Sequence, residues 1–316
     1  MIPKRRIRKK VRKKVLSFEL QHTAIIINGP TAVGKTDLAI QIAQHFRTEI
    51  ISSDSRQCYR ELNIGVAKPD AAQLSAVPHY FINSHSIVEE VNAAGFENYA
   101  LASAQKIFTS HDILVMVGGT GLYTRAFCEG LDNIPAIPEP VKAAILQRYE
   151  GGGERWLREE VEKVDPEYFH SGEIQNPRRL LRALEVKLAT GKSIRSFQTG
   201  GKAKRNFKIV QIGLACDREL LYSRINNRVD GMIEAGLVEE ATHLYERKYL
   251  NALQTVGYRE LFDWMDGLIS RERAIELIKT NTRHYAKRQM TWFRNQSSLK
   301  WFQYPFNRDE ILSHCV

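Results

Sequence analysis

Between residues 29 and 36 the chain reads Gly29-Pro30-Thr31-Ala32-Val33-Gly34-Lys35-Thr36, the G-x-x-x-x-G-K-[ST] spacing that cradles phosphate groups. Each residue type has a physical reason. Gly29 and Gly34 permit a backbone whose amides converge on one concavity, and the start of a following helix adds partial positive charge. Lys35 adds a full charge, and the Thr36 hydroxyl can ligate Mg2+. Residues 29–36 are therefore expected to bind a diphosphate or triphosphate. The other residue with chemical potential is Asp54, which closes the run Glu49-Ile-Ile-Ser-Ser53. A carboxylate at the C-terminal edge of a parallel strand, beside a phosphate loop, can ligate a metal ion or accept a proton. It can equally cap the turn that follows. Nucleotide hydrolases and kinases usually carry an acid at the end of another strand. Here Ile113-Leu-Val-Met-Val117 runs into Gly118-Gly119-Thr120-Gly121 with none. The residues define a phosphate site but leave its reaction open.

Such residues must be held at strand ends, and the chain has the strands. Thr23-Ala-Ile-Ile-Ile-Asn28 is a short buried-strand pattern, and Thr36 to Phe46 is helical, with Leu38, Ile42 and Phe46 recurring every four residues. Glu49–Ser52, Ile113–Val117 and Lys208–Leu214 are expected as further strands. Short apolar strands alternating with helical stretches indicate an α/β fold, a P-loop NTPase-like parallel sheet flanked by helices. Between the third and fourth strands the texture changes. Pro135, Pro138 and Pro140 mark a linker, Gly151-Gly-Gly153 a break, and Asn176-Pro177 a helix start with proline at its first position. Leu181, Leu184 and Leu188 are read as the buried side of that helix. In the last long helix Ile278, Tyr285 and Trp292 are read as the core face, with Arg283, Lys287 and Arg294 near one stripe. The expected organisation is a basic arm over 1–17, a P-loop core over 18–130 and 206–316 ending in helices, and a helical insertion over 131–205.

Composition narrows the class. Of 316 residues, 43% are apolar and 26% charged, which excludes a disordered or fibrous protein. No apolar run approaches the roughly 18–20 residues of a membrane helix, and the basic start lacks the pattern of a secretory signal. The four cysteines stand far apart with no C-x-x-C pair, which argues against a zinc ribbon or disulfide framework and fits a reducing cytoplasm. The 46 Lys and Arg outnumber the 36 Asp and Glu, and nine of the cations fall in the first 16 residues. In the nearly neutral remainder the charge is segregated. Asn176 to Lys208 holds ten Lys or Arg against one acid, Glu185, and Lys279 to Lys300 holds six cations and no acid. Two basic patches on an otherwise acidic body are the footprint of a polyanion, so a nucleic-acid partner is expected.

Seven blocks then occur in order: the loop 29–36, Asp54-Ser-Arg-Gln-Cys-Tyr59, Asn63-Ile-Gly-Val-Ala-Lys-Pro69, Gly118-Gly-Thr-Gly-Leu-Tyr123, Asn176-Pro-Arg-Arg-Leu-Leu-Arg-Ala-Leu-Glu185, Val256-Gly-Tyr-Arg-Glu260 and Lys287-Arg-Gln-Met-Thr-Trp-Phe-Arg294. Over about residues 23–302 the chain resembles the bacterial tRNA dimethylallyltransferases, the isopentenyl-diphosphate:tRNA transferases. The resemblance implies that the loop holds dimethylallyl diphosphate. Its dimethylallyl group would pass to N6 of the adenosine immediately 3′ of the anticodon, releasing diphosphate. Asp54 is implied as general base. Charge on the leaving diphosphate would fall to Lys35, Mg2+ on Thr36, the loop amides and an arginine, either Arg224 or Arg228. Thr31 would bond the diphosphate and Thr120 the reacting base. RNA contacts are implied at Asp54, Ser55, Arg56 and Gln57, at Lys142, and at Arg178, Arg179 and Arg182. Further contacts are implied at Thr255, Val256, Gly257, Tyr258 and Arg259, and at Lys287, Arg288 and Arg294. The implied partners are a tRNA anticodon stem-loop and dimethylallyl diphosphate, with no membrane, a cytoplasmic location and a monomer as the default state.

Two features depart from the family pattern. The basic arm is unlike its usual compact start, and Lys142 stands where arginine is frequent, which weakens a bidentate phosphate grip. Three other readings stay open on the residues alone. A P-loop small-molecule kinase would need the acid that is missing after Val117. Prenylation of a free adenine nucleotide leaves the basic insertion without a purpose, and a non-enzymatic RNA-binding module leaves the phosphate loop without one.

Overall fold

The computed structural model describes residues 22–296 and 298–315; the expected basic arm lies outside them. Six strands form one sheet: β1 (Thr23–Asn28), β2 (Ile50–Ser52), β3 (His79–Tyr80), β4 (Ile113–Val117), β5 (Lys208–Ala215) and β6 (Leu299–Gln303). Their order is β3-β2-β4-β1-β5-β6, and every pairing is parallel. β1 lies centrally and Ala24 to Ile27 are wholly buried, as continuous apolar runs are in sheets covered on both faces. The register sets the site. Ile27 of β1 and Ser52 of β2 both pair with Val117 of β4, so three strands end level with one another. The loops after β1, β2 and β4 therefore emerge at one carboxyl edge, where parallel sheets bind ligands.

β3 and β6 were not legible in the sequence. β3 is two residues long, and β6 is an edge strand with Lys300 and Gln303 exposed, so neither gives a continuous apolar run. β6 reaches the sheet because Gly213 of β5 has no side chain; a Cβ there would lie 2.7 Å from the Trp301 ring.

By contacts the chain forms two compact units: 1–89, 102–119 and 206–316, and 90–101 with 120–205. In the first, the helix Lys35–Phe46 buries Leu38, Ala39, Ile40, Ile42 and Ala43 in a core shared with Ile25, Ile27, Val115 and Leu214. The long helix Arg271–Arg294 buries Ala274, Ile278, Ala286, Gln289 and Phe293. This corrects the expected row through Tyr285 and Trp292, which are half-buried. A strict seven-residue repeat drifts about 20° per heptad on a straight helix, and Tyr285 turns toward a cavity instead. Arg283 also leaves its expected stripe, because its guanidinium donates to Asn226 Oδ1 at 2.7 Å and Thr280 Oγ1 at 2.9 Å.

The second unit contains all of 131–205 and extends beyond it. Phe96 stacks on Tyr123 at 4.4 Å, and Arg205 pairs with Glu97 at 2.8 Å while donating to the carbonyls of Ala126 and Phe127. The helix Pro177–Thr190 starts on the expected cap, with Asn176 Oδ1 accepting the Arg178 amide at 3.1 Å. Its buried residues are Leu180, Ala183, Leu184 and Val186; Leu188, expected inside, is 47% exposed. The triple glycine kinks the helical run Glu139–Val164 at Gly153, where φ is +61°.

Candidate active site

The loop after β1 is shaped by its glycines. At Gly29, with φ +152°, a Cβ would meet the Leu214 carbonyl oxygen at 2.8 Å, and Gly34 holds φ +104° immediately before the helix. The loop lines a cavity of about 260 Å³ together with Ser52, Asp54, Gln57, Gly118, Gly119, Arg228, Tyr285 and Gln289. Val66, Ala67, Pro69, Ile82 and Val117 give the same cavity an apolar wall.

Two cations meet there. Lys35 donates from Nζ to the Pro30 carbonyl at 2.7 Å, and Arg228 donates to Thr31 Oγ1 at 3.2 Å. Burial, and then the neighbouring Arg228 charge, push the Lys35 pKa down to about 7, with Asp54 opposing the shift. Desolvation also lowers the pKa of Arg228, although much of its side-chain surface remains exposed. The site is thus charged to receive an anion that satisfies both groups.

This gives a pH signature. An anion in the cavity favours the charged lysine, so binding above about pH 7 must take up a proton at Lys35. Diphosphate affinity is expected to weaken with rising pH above that point. Calorimetry at pH 8 in buffers of different ionisation enthalpy should show up to about one more proton taken up by the unaltered chain than by Lys35→Met. The same shift acts on stability in the opposite direction. Between pH 7 and the ordinary lysine value the unfolded chain binds more protons, so this group's contribution to stability rises with pH across that window.

Asp54 serves two purposes with its two oxygens. Oδ1 accepts the amides of Arg56 at 2.9 Å and Gln57 at 3.3 Å, which is the capping role. Among the described residues Oδ2 takes no hydrogen bond, and the side chain lines the cavity. The two roles therefore coexist in one carboxylate.

The structure separates the two candidate arginines. Arg228 is on the cavity wall. Arg224, one turn earlier on the helix Arg218–Glu234, donates to the Val33 carbonyl at 3.4 Å and lies over the Tyr304 ring at 4.1 Å. It braces the loop from outside.

The residues implied as RNA contacts fall into distinct environments. Arg259, Lys287, Arg288 and Arg294 are exposed, while Thr255 and Val256 are half-buried. Ser55, Arg56 and Gln57 are half-buried beside Asp54. Arg56 reaches the Asn251 carbonyl at 3.0 Å, and Gln57 donates to the carbonyls of Val66 and Ala67. Gly257 is buried and Tyr258 is wholly so, with its hydroxyl donating to Glu240 at 2.6 Å. Its ring packs under Gly65, where a Cβ would meet it at 2.6 Å. Tyr258 thus supports the cavity wall rather than presenting itself to a ligand. Glu240 completes that support by accepting the amides of Asn63, Ile64 and Gly65.

In the second unit Thr120 precedes the helix Gly121–Glu129. Lys142 pairs with Glu139 at 3.2 Å, Arg179 with Glu173, and Arg182 with Glu185 at 3.2 Å. Lys202 pairs with Glu129. Acids from outside the stretch 176–208 therefore neutralise part of its charge. Arg178 is exposed and makes no ion pair among the described residues.

Sequence reasoning passed over Gln289, Tyr285 and the wall 66–69. A legible signal existed for the first, since a glutamine interrupts the apolar row 274, 278, 286 and 293. Among the described residues no group of three or more His, Cys, Asp or Glu could hold a metal ion, and no helix is long and apolar enough to cross a membrane.

The fold and cavity define a P-loop protein whose phosphate site faces a carboxylate instead of a nucleotide-hydrolysing acid. Comparisons with other proteins agree. The family described as IPP transferase matches residues 57–296. The tRNA dimethylallyltransferase of Christiangramia forsetii is 48% identical over 290 residues, covering 92% of this chain and 96% of the relative. The solved tRNA isopentenylpyrophosphate transferase of Bacillus halodurans is 36% identical, with a TM-score of 0.67 over 93% of this chain and 95% of the other. A eukaryotic dimethylallyltransferase acting on tRNA is 28% identical, with a TM-score of 0.75 over 89% of this chain and 74% of that one. The chain belongs to the IPP transferase family.

Proposed function

We propose that the chain transfers the dimethylallyl group of dimethylallyl diphosphate to N6 of the adenosine immediately 3′ of the anticodon in tRNA. The observation that carries this reading is a single cavity lined by Lys35, Thr36 and Arg228 on one side and Asp54 on another. The adenine amino group is a poor nucleophile whose proton must leave as the new bond forms. Asp54 Oδ2 accepts that proton as N6 bonds to the allylic carbon. The carbon–oxygen bond to diphosphate breaks, and its electron pair leaves with the diphosphate. Lys35, Arg228 and the loop amides stabilise the charge gathered there. Val66, Ala67, Pro69, Ile82 and Val117 offer the dimethylallyl chain apolar contact.

Thr36 fits Mg2+ in the manner usual for that ion, with one protein oxygen and the remaining positions supplied by phosphate and water. When bound, the ion would neutralise part of the diphosphate charge. The target base must leave the anticodon-loop stack to be modified, so a grip on flanking RNA is needed. Exposed cations in both units supply it. Arg178→Ala is expected to reduce the slope of log affinity for tRNA against log salt by about 0.7–0.9, the weight of one phosphate contact. Arg182→Ala, already paired with Glu185, should change the slope less; filter binding over a salt series measures both.

The reaction is tested by incubating the chain with radiolabelled dimethylallyl diphosphate and either tRNA or AMP. Label in tRNA alone supports the reading. Label in AMP alone would point to adenylate prenylation, and ATP-dependent phosphorylation without prenyl transfer would overturn the assignment.

A further inference from the structure

One amide of the phosphate loop is already engaged. The Thr31 N–H donates to Gln289 Oε1 at 2.8 Å, and Gln289 Nε2 donates to the Gly119 carbonyl at 2.9 Å. Gln289 is only 6% exposed. Thr31 offers an N–H at this point and Gly119 a carbonyl, so reversing the side-chain amide would set donor against donor and acceptor against acceptor. Gly119 is required for the approach, because a Cβ there would fall on the Gln289 amide nitrogen. All three residues line the cavity that holds Lys35 and Arg228. A carbonyl oxygen therefore stands where a phosphoryl oxygen would have to stand to use the Thr31 amide.

In a nest of this kind each free N–H adds to the phosphoryl oxygens that can be held. We infer that Gln289 is a specificity-determining residue that confines the site to two phosphoryl groups and turns a triphosphate away. It withdraws one donor, and it presents an acceptor to any third phosphoryl group on that wall. Opposed acceptors discriminate against a wrong ligand as effectively as added contacts favour the right one. The clamp is anchored on both sides of the cavity, at the loop after β1 and the turn after β4, so the acceptor cannot swing clear without losing both bonds. The inference deepens, and rests on, the reading of the loop as a diphosphate site.

The test compares inorganic diphosphate with inorganic tripolyphosphate, each with the same excess of Mg2+, by calorimetry on the full chain. On charge alone the two cations would favour tripolyphosphate, so a preference for diphosphate is diagnostic. The unaltered chain is expected to prefer diphosphate by about 10-fold or more, the effect of one unmet polar group in a desolvated site. Gln289→Ala frees the amide and opens space, and should bring the ratio close to one. Gln289→Met keeps the volume while freeing the amide, and should remove part of the preference. Equal affinities in the unaltered chain would overturn the inference. So would a full preference retained by an alanine variant that melts at the unaltered temperature; if that variant does not fold, the methionine variant is judged by the same criterion. Failure of the unaltered chain to bind diphosphate at all would instead overturn the diphosphate reading of the loop.

Discussion

Replacing Asp54 by alanine is expected to lower prenyl transfer by about 10²–10⁴-fold, the usual weight of general acid–base assistance. Affinity for tRNA should change far less. The two-oxygen arrangement of Asp54 makes a second variant necessary. Alanine removes the proton acceptor and also the Oδ1 bonds to the Arg56 and Gln57 amides, so a loss could come from a loosened turn. Asp54→Asn keeps a carbonyl oxygen that can accept those amides but removes the basic carboxylate. If Asp54 is the base, asparagine should be nearly as inactive as alanine. If the carboxylate only caps the turn, asparagine should restore most of the rate. Steady-state turnover of the two variants, with tRNA binding measured alongside, separates the outcomes.

Arg228→Ala should cost about 10²–10³-fold in turnover, the range found when one charge-stabilising donor is removed. Arg224→Ala should cost less than about tenfold, because its guanidinium contacts the Val33 carbonyl and the Tyr304 ring rather than the cavity. A second readout links the first effect to the site. Arg228 is the charge that helps hold the Lys35 pKa down, so its removal should move the pH at which diphosphate binding weakens upward. Arg224→Ala should leave that pH unchanged. Equal losses from the two variants, with no change in the pH profile, would remove Arg228 as the leaving-group arginine.

The phosphate loop was legible in the sequence because its glycines, lysine and threonine lie within eight residues between a strand and a helix. Backbone geometry and hydrogen-bonding capacity are then set locally. Asp54 was legible for the same reason, as the carboxylate ending the next strand. The helix cap at Asn176 is equally local. The basic stretch from 176 to 208 was legible as composition but not as surface. Glu97, Glu129 and Glu173 fold against Arg205, Lys202 and Arg179, and those acids lie elsewhere in the chain. Tyr258 shows the same limit: it sits in a motif implied as an RNA contact, yet Gly65 and Glu240 bury it.

What this sequence determined by itself was each element that closes over a few residues: the phosphate nest, the strand-end acid, the caps and the parallel class of the sheet. Only the tertiary structure decided between Arg224 and Arg228, brought Gln289 to Thr31 across 258 positions, and turned Tyr285 toward the cavity. Both arginines lie one turn apart on the same helix, so no spacing rule distinguishes them. Their roles follow from which face packs against the loop and which against Tyr304, and packing is a property of segments distant in the chain. Local sequence specifies chemical capacity, whereas the register of β1, β2 and β4 specifies which capacities meet.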